Sequence, residues 1–172
     1  MRGWAILWNF NSGNKSTWND AIAMFERAIA LDSKNVSATT GLATALFARP
    51  YGRWSDDPAS DLARAEKMAD AALALRPDDS EAHFIKALLF ERKGQWRPAM
   101  AEAETAIADD PNNAGAIAQA SYYRMFLDHA EDGLAGQETA LRLSPHDPMA
   151  PIWQVHLCYL HNHLAQWEQS IG

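Results

Sequence analysis

The sequence predicts an all-α solenoid built from antiparallel helix pairs, and three observations predict it. One line recurs: Ala21–Asp32 returns as Ala65–Arg76, as Ala99–Asp110 and, degraded, as Gly133–Ser144. The period is regular, with 34 residues from Pro77 to Pro111 and 34 from Pro111 to Pro145. A fixed period of about that size with helical texture marks stacked helix pairs. Small residues, mostly alanine, recur at fixed places in each unit, where two helices must approach closely. The chain, residues 1–172, is then one domain of about five units: 1–35, 36–79, 80–113, 114–147 and a truncated 148–172.

The elements follow in order. In the first unit, Trp4 to Phe10 is predicted as one helix and Trp18 to Leu31 as its partner, with Ser33 where later units carry proline. In the second, Val36 to Ala48 and Asp61 to Leu75 are the helices. Their unit is ten residues longer than the regular period, and the excess, Arg49 to Pro58, is rich in turn formers. It reads as a loop outside the regular stack whose deletion costs little, since closure entropy grows slowly with length. Asp57-Pro58 has the form of an N-cap with proline at the first helical position.

The third unit is the best formed. Ala82, Ala87 and Phe90 share one face of a helix from Ser80 to Lys93, Gly94 breaks it, and Trp96 fills the gap before Arg97 to Asp109. In the fourth unit, Ala114 to Ser144, Gly133 stands where alanine is usual and predicts loose packing. The fifth opens after Pro145-His146-Asp147-Pro148. Its first helix is expected to carry about three extra residues, with a second helix opening at Trp167. That arrangement leaves apolar surface on the first helix and predicts self-association through an open C-terminal end. The total is nine main helices and no sheet.

These residues carry a family resemblance. Along nearly its full length the chain resembles tetratricopeptide repeat (TPR) proteins, most strongly in the third unit. More narrowly it is similar to the repeat region that follows the catalytic domain in bacterial class III adenylate/guanylate cyclases, and that follows winged-helix domains in related regulators. That likeness is carried by Arg2-Gly3, by Phe25–Asp32, by the long loop with Trp54 and Asp57-Pro58, and above all by Leu141–Pro148. Departures are Ser33 for proline, Gly133 for alanine and Lys86 for leucine. No cyclase or DNA-binding segment is present, and the chain reads as an excised fragment open at both ends.

Composition narrows the function classes. With 48% apolar and 22% charged residues and a mean hydropathy of -0.33, no membrane span is expected. The N-terminus lacks a signal-peptide shape, and a cytoplasmic location follows. A net charge of -7 disfavours a nucleic-acid partner. The lone Cys158 excludes an internal disulfide. Asn14-Lys15-Ser16 and Asn35-Val36-Ser37 match the glycosylation sequon by chance in this context.

Nor does the sequence carry a catalytic signature. The histidines at 83, 129, 146, 156, 161 and 163 show no metal-ligand spacing. Cys158 falls in a small-residue packing place and reads as a buried, inert thiol. The carboxylate pairs Asp56-Asp57, Asp78-Asp79 and Asp109-Asp110 sit at turns, where capping and the helix dipole explain them. No phosphate loop or nucleophile constellation appears, so the chain is read as non-enzymatic, with no cofactor and no metal.

The functional surface is the one the resemblance implies, a concave groove lined by the first helix of each unit. Its predicted peptide-binding residues are Phe84, Leu88, Glu91, Tyr122, Met125, Tyr159 and Asn162. This lining is largely apolar and aromatic, suits a protein or peptide ligand, and lacks the Lys/Asn/Arg set with which chaperone-binding relatives hold a terminal carboxylate. Three readings stand: an interaction and regulatory module of a bacterial signalling protein, in the manner of the cyclase regions; an oligomerisation module; and a fragment of an enzyme with a ligand site in the groove.

Overall fold

In the computed structural model, residues 14–127 and 130–171 are described, and they form eight helices without a strand. In chain order these are α1 (Lys15–Leu31), α2 (Val36–Ala48), α3 (Pro58–Leu75), α4 (Ser80–Arg92), α5 (Trp96–Asp109), α6 (Ala114–Arg124), α7 (Ala130–Leu143) and α8 (Ala150–Ile171). The helix expected over Trp4 to Phe10 lies outside the described residues. Each helix packs on the next, and α2, α4, α6 and α8 also touch one another in succession. The first helices of the units therefore form the closer-set layer, which is the inner side of a curved two-layer stack.

Local chemistry sets most helix starts. Asn14, Asn35, Asp57, Asp79 and Asn113 each accept a backbone N–H of the following helix, satisfying one of the donors that a helix start leaves open. The linker turn is the same with or without proline. Asn35 N donates to Asp32 O at 3.1 Å, Asp79 N to Arg76 O at 3.2 Å, and Asn113 N to Asp110 O at 3.0 Å. Ser33 is thus tolerated because the carboxamide or carboxylate cap, not the proline ring, makes the turn. Pro58 occupies the first turn of α3, so that helix begins three residues before the expected Asp61.

The core is an alanine ladder closed by large side chains. Ala21, Ala65, Ala69, Ala72, Ala99, Ala103, Ala106 and Ala140 are fully buried. Trp18, Ile22, Phe25, Leu42, Leu46, Ile85 and Leu89 fill the space between the first three units. Lys86, the departure from the repeat pattern, is half-buried and held by Asp70 at 3.0 Å and Glu102 at 3.6 Å.

Three expectations about packing are corrected. The loop at 49–57 is not outside the stack. Trp54 is half-buried against the first core cluster and stacks on Trp18 at 5.3 Å. Arg49 forks onto buried Asp61, which also accepts from Ser55 Oγ at 2.5 Å. Deleting the loop would remove an aromatic core contact and strand a buried carboxylate, costs that closure entropy does not contain. Gly133 marks tight rather than loose packing: a Cβ there would stand 2.7 Å from the Ser121 carbonyl oxygen and 2.9 Å from Leu160. Finally, no second helix opens at Trp167, because α8 runs unbroken to Ile171. The comparable break between α4 and α5 uses Gly94 at φ +68°, and no glycine or proline lies between Ile152 and Ile171.

Candidate protein-interaction groove

The predicted site residues lie on α4, α6 and α8, the first helices of their units, with Met125 at the C-terminal cap of α6. Phe84, Leu88 and Glu91 are half-buried on α4, and Leu88 also leans on the first core cluster. On α6, Tyr122 is half-buried, and Met125, at its C-terminal cap, is likewise half-buried. Tyr159 and Asn162 of α8 are exposed. Ile152, Val155 and Tyr159 follow one another at helical steps of three and four, and they are 43%, 47% and 53% exposed. That exposure is high for three large apolar side chains on one helix face.

Tyr122 joins α8 to α6. Its ring lies flat on His156 at 3.9 Å and edge-on to Phe126 at 5.2 Å. Phe126 in turn stacks on Trp96 at 4.0 Å, so an aromatic chain runs from α5 to α8. His156 is buried, its Nδ1 has no hydrogen-bond partner among the described residues, and burial pushes the imidazole down to about 4. It is therefore a neutral packing ring near neutral pH.

Two carboxylates sit in the same layer. Glu91 accepts from Tyr123 Oη at 2.9 Å and from Gln119 Nε2 at 2.6 Å. Burial raises its carboxyl, against the lowering effect of those two bonds. Among the described residues Glu81 accepts only a long bond, 3.4 Å, from Thr44 Oγ1. Burial pushes Glu81 up to about 7, with the charges of Asp79 and Asp147 adding to the rise. Burial likewise raises the phenols of Tyr51, Tyr122 and Tyr123.

The sequence reading missed Tyr123, Gln119 and His156. Gln119 and Tyr123 are one helical turn apart on α6, a spacing that brings them together, but only the neighbouring unit brings Glu91 to them. Cys158 is a correction: it is exposed, not buried. Its place in the repeat is buried only when a partner helix folds back over it, and unbroken α8 provides none among the described residues. Among the described residues no group of three or more His, Cys, Asp or Glu side chains is placed to hold a metal ion. No described helix is long and apolar enough to cross a membrane.

Residues 59–114 match the tetratricopeptide repeat family model. A thermophilic TPR protein of Thermus thermophilus is similar in structure with a TM-score of 0.67, at 19% identity, over 91% of this chain and 81% of that one. The 41-end portion of MamA from Desulfovibrio magneticus RS-1 gives 0.56 at 18% identity, over 89% and 85%. Another MamA structure gives 0.56 at 15% identity, over 91% and 92%. No curated protein sequence matches the chain. At these identities the likeness establishes the fold, an all-α solenoid of the tetratricopeptide type.

Proposed function

We propose that this TPR solenoid is a protein-interaction module that takes a protein or peptide ligand on the inner faces of α4, α6 and α8. The observation that supports this is the exposed row Ile152, Val155 and Tyr159 beside half-buried Tyr122. Large, stiff side chains in a groove that a ligand dries carry most of an interface's energy, often about 2 kcal/mol or more each. Phe84, Tyr122, Met125 and Tyr159 are the anchors, with Leu88, Glu91 and Asn162 shaping the groove. The Tyr122→Ala and Tyr159→Ala variants should keep the wild-type helix content yet lose a partner that the wild-type chain captures. Unchanged capture by both variants moves the site off this face.

The finer reading is a regulatory region of a bacterial, cytoplasmic signalling protein next to a nucleotide cyclase domain. It rests on the resemblance of Leu141–Pro148 and the Trp54 loop to such regions, and the sequence of the full-length gene product tests it. A second reading is self-association through α8, favoured by exposed Cys158 on a helix side that no described helix covers. Light scattering across a concentration series decides it: a constant monomer mass ends the reading.

A further inference from the structure

We propose that the ligand of this groove is an amphipathic helix bearing a lysine or arginine, whose cationic group seats against Glu91 while its apolar face covers Tyr122, Tyr159 and Val155. This deepens the interaction reading and rests on it.

The carboxylate of Glu91 is only half satisfied. Tyr123 and Gln119 both donate to Oε2, and Oε1 receives no bond from any described residue. Oε1 is also not sealed off, because the orphaned buried polar atoms lie elsewhere. The adjacent cation does not fill the gap. Arg92 instead sits over the Tyr51 ring, 5.0 Å from its centroid, so its charge lowers the Glu91 carboxyl from a distance without a hydrogen bond to it. A carboxylate partly withdrawn from water, with one oxygen open, gains most from a charged donor.

The position of Glu91 couples it to the apolar row. Tyr123, which donates to Glu91 at 2.9 Å, has its ring 6.3 Å from that of Tyr122, and Tyr122 in turn lies flat on His156 of α8 at 3.9 Å. Tyr122 therefore links the carboxylate's surroundings to α8. Aromatic walls beside a carboxylate suit an alkylammonium or guanidinium, whose stem is apolar and whose head is cationic.

Charge complementarity selects the occupant. Residues 114–172 carry two arginines and no lysine against six carboxylates, and the whole chain is at -7. A second copy of this chain would bring like charge to the same surface, whereas a basic helix is drawn in. A helix also matches the geometry, because Ile152, Val155 and Tyr159 form a straight row along α8 into which the side chains of a second helix can interleave.

The test uses the full chain and two labelled peptides, one an amphipathic helix of leucine and lysine, the other its leucine–glutamate counterpart, followed by fluorescence anisotropy. The lysine peptide should bind and the glutamate peptide should not. Glu91→Gln should weaken the lysine peptide by about tenfold or more, the worth of one charge-assisted bond. Glu131→Gln, which makes the same change of net charge at an exposed position of α7, should change binding by less than about twofold, as expected for a single remote screened charge. Equal losses in the two variants, or equal binding of the two peptides, overturn the proposal. Replacing the peptide lysines by glutamine repeats the test without altering the protein: undiminished binding overturns it. Tyr122→Ala separates the levels. If it abolishes binding while Glu91→Gln does not, the groove stands and the cation seat falls; if neither matters, the groove reading falls too.

Discussion

Asp61→Ala should be among the most damaging single substitutions in the first half of the chain. Asp61 is buried, 2% exposed, at the start of α3. It accepts Nε of Arg49 at 2.8 Å, Nη2 of the same guanidinium, and Oγ of Ser55 at 2.5 Å. The alanine variant leaves the Arg49 head, itself largely buried, with a single bond to Asn19 Oδ1 at 3.1 Å. Breaking one side of a buried pair costs about 3–5 kcal/mol because the partner charge is stranded. The surviving Asn19 bond places the expectation at the lower end, about 3 kcal/mol. Urea unfolding followed by tryptophan fluorescence reads it directly, since the loop pinned by Asp61 carries Trp54 onto Trp18. Asp61→Asn, which keeps an acceptor, should lose less. An Arg49→Met/Asp61→Leu double variant should recover much of the loss, because two matched apolar groups leave no charge unpaired. A loss below about 1 kcal/mol for Asp61→Ala, the level of an exposed pair, would refute the reasoning and return the loop to the periphery.

Gly94→Ala should cost about 1–2 kcal/mol, because φ +68° penalises a Cβ although the space around it is open; an unchanged denaturation midpoint would show that the turn relaxes. Two groove groups should oppose each other in their dependence on pH. His156 titrates near 4 in the fold against 6.5 in the open chain, so its contribution is complete above pH 6.5 and is lost as pH falls towards 4. Glu81 titrates near 7 against 4.5, so its charged form penalises the fold above pH 7 and the penalty fades as pH falls towards 4.5. Each is worth up to about 3 kcal/mol by linkage. On acidification from pH 7 to 5, Glu81→Gln should therefore lose stability faster than wild type and His156→Gln more slowly; identical slopes in the two variants would contradict both assignments.

What the sequence determined by itself was whatever depends on near neighbours. The 34-residue period, the alanines that allow helices to touch, and the Asn and Asp caps at 35, 79 and 113 act within one turn or one helix pair, so their signals are written locally. The placing of Tyr122 and Tyr159 on the first helices of their units, with Met125 at the end of one, was legible to the same extent, since they occupy repeat positions. Tertiary structure alone decided the contacts that cross from one unit to another. Trp54 lands on Trp18, Glu91 is capped by Tyr123 and Gln119, and His156 lies on Tyr122 one period away. Gly133 and Cys158 show why local reading misjudges such places. A glycine in isolation signals a weak helix, yet here it lets the Ser121 carbonyl approach. A small residue in a packing place signals burial, yet Cys158 is exposed because no described helix folds over α8. In a stacked solenoid each residue's environment is completed by the next unit, and that completion is a property of the assembled stack rather than of any segment.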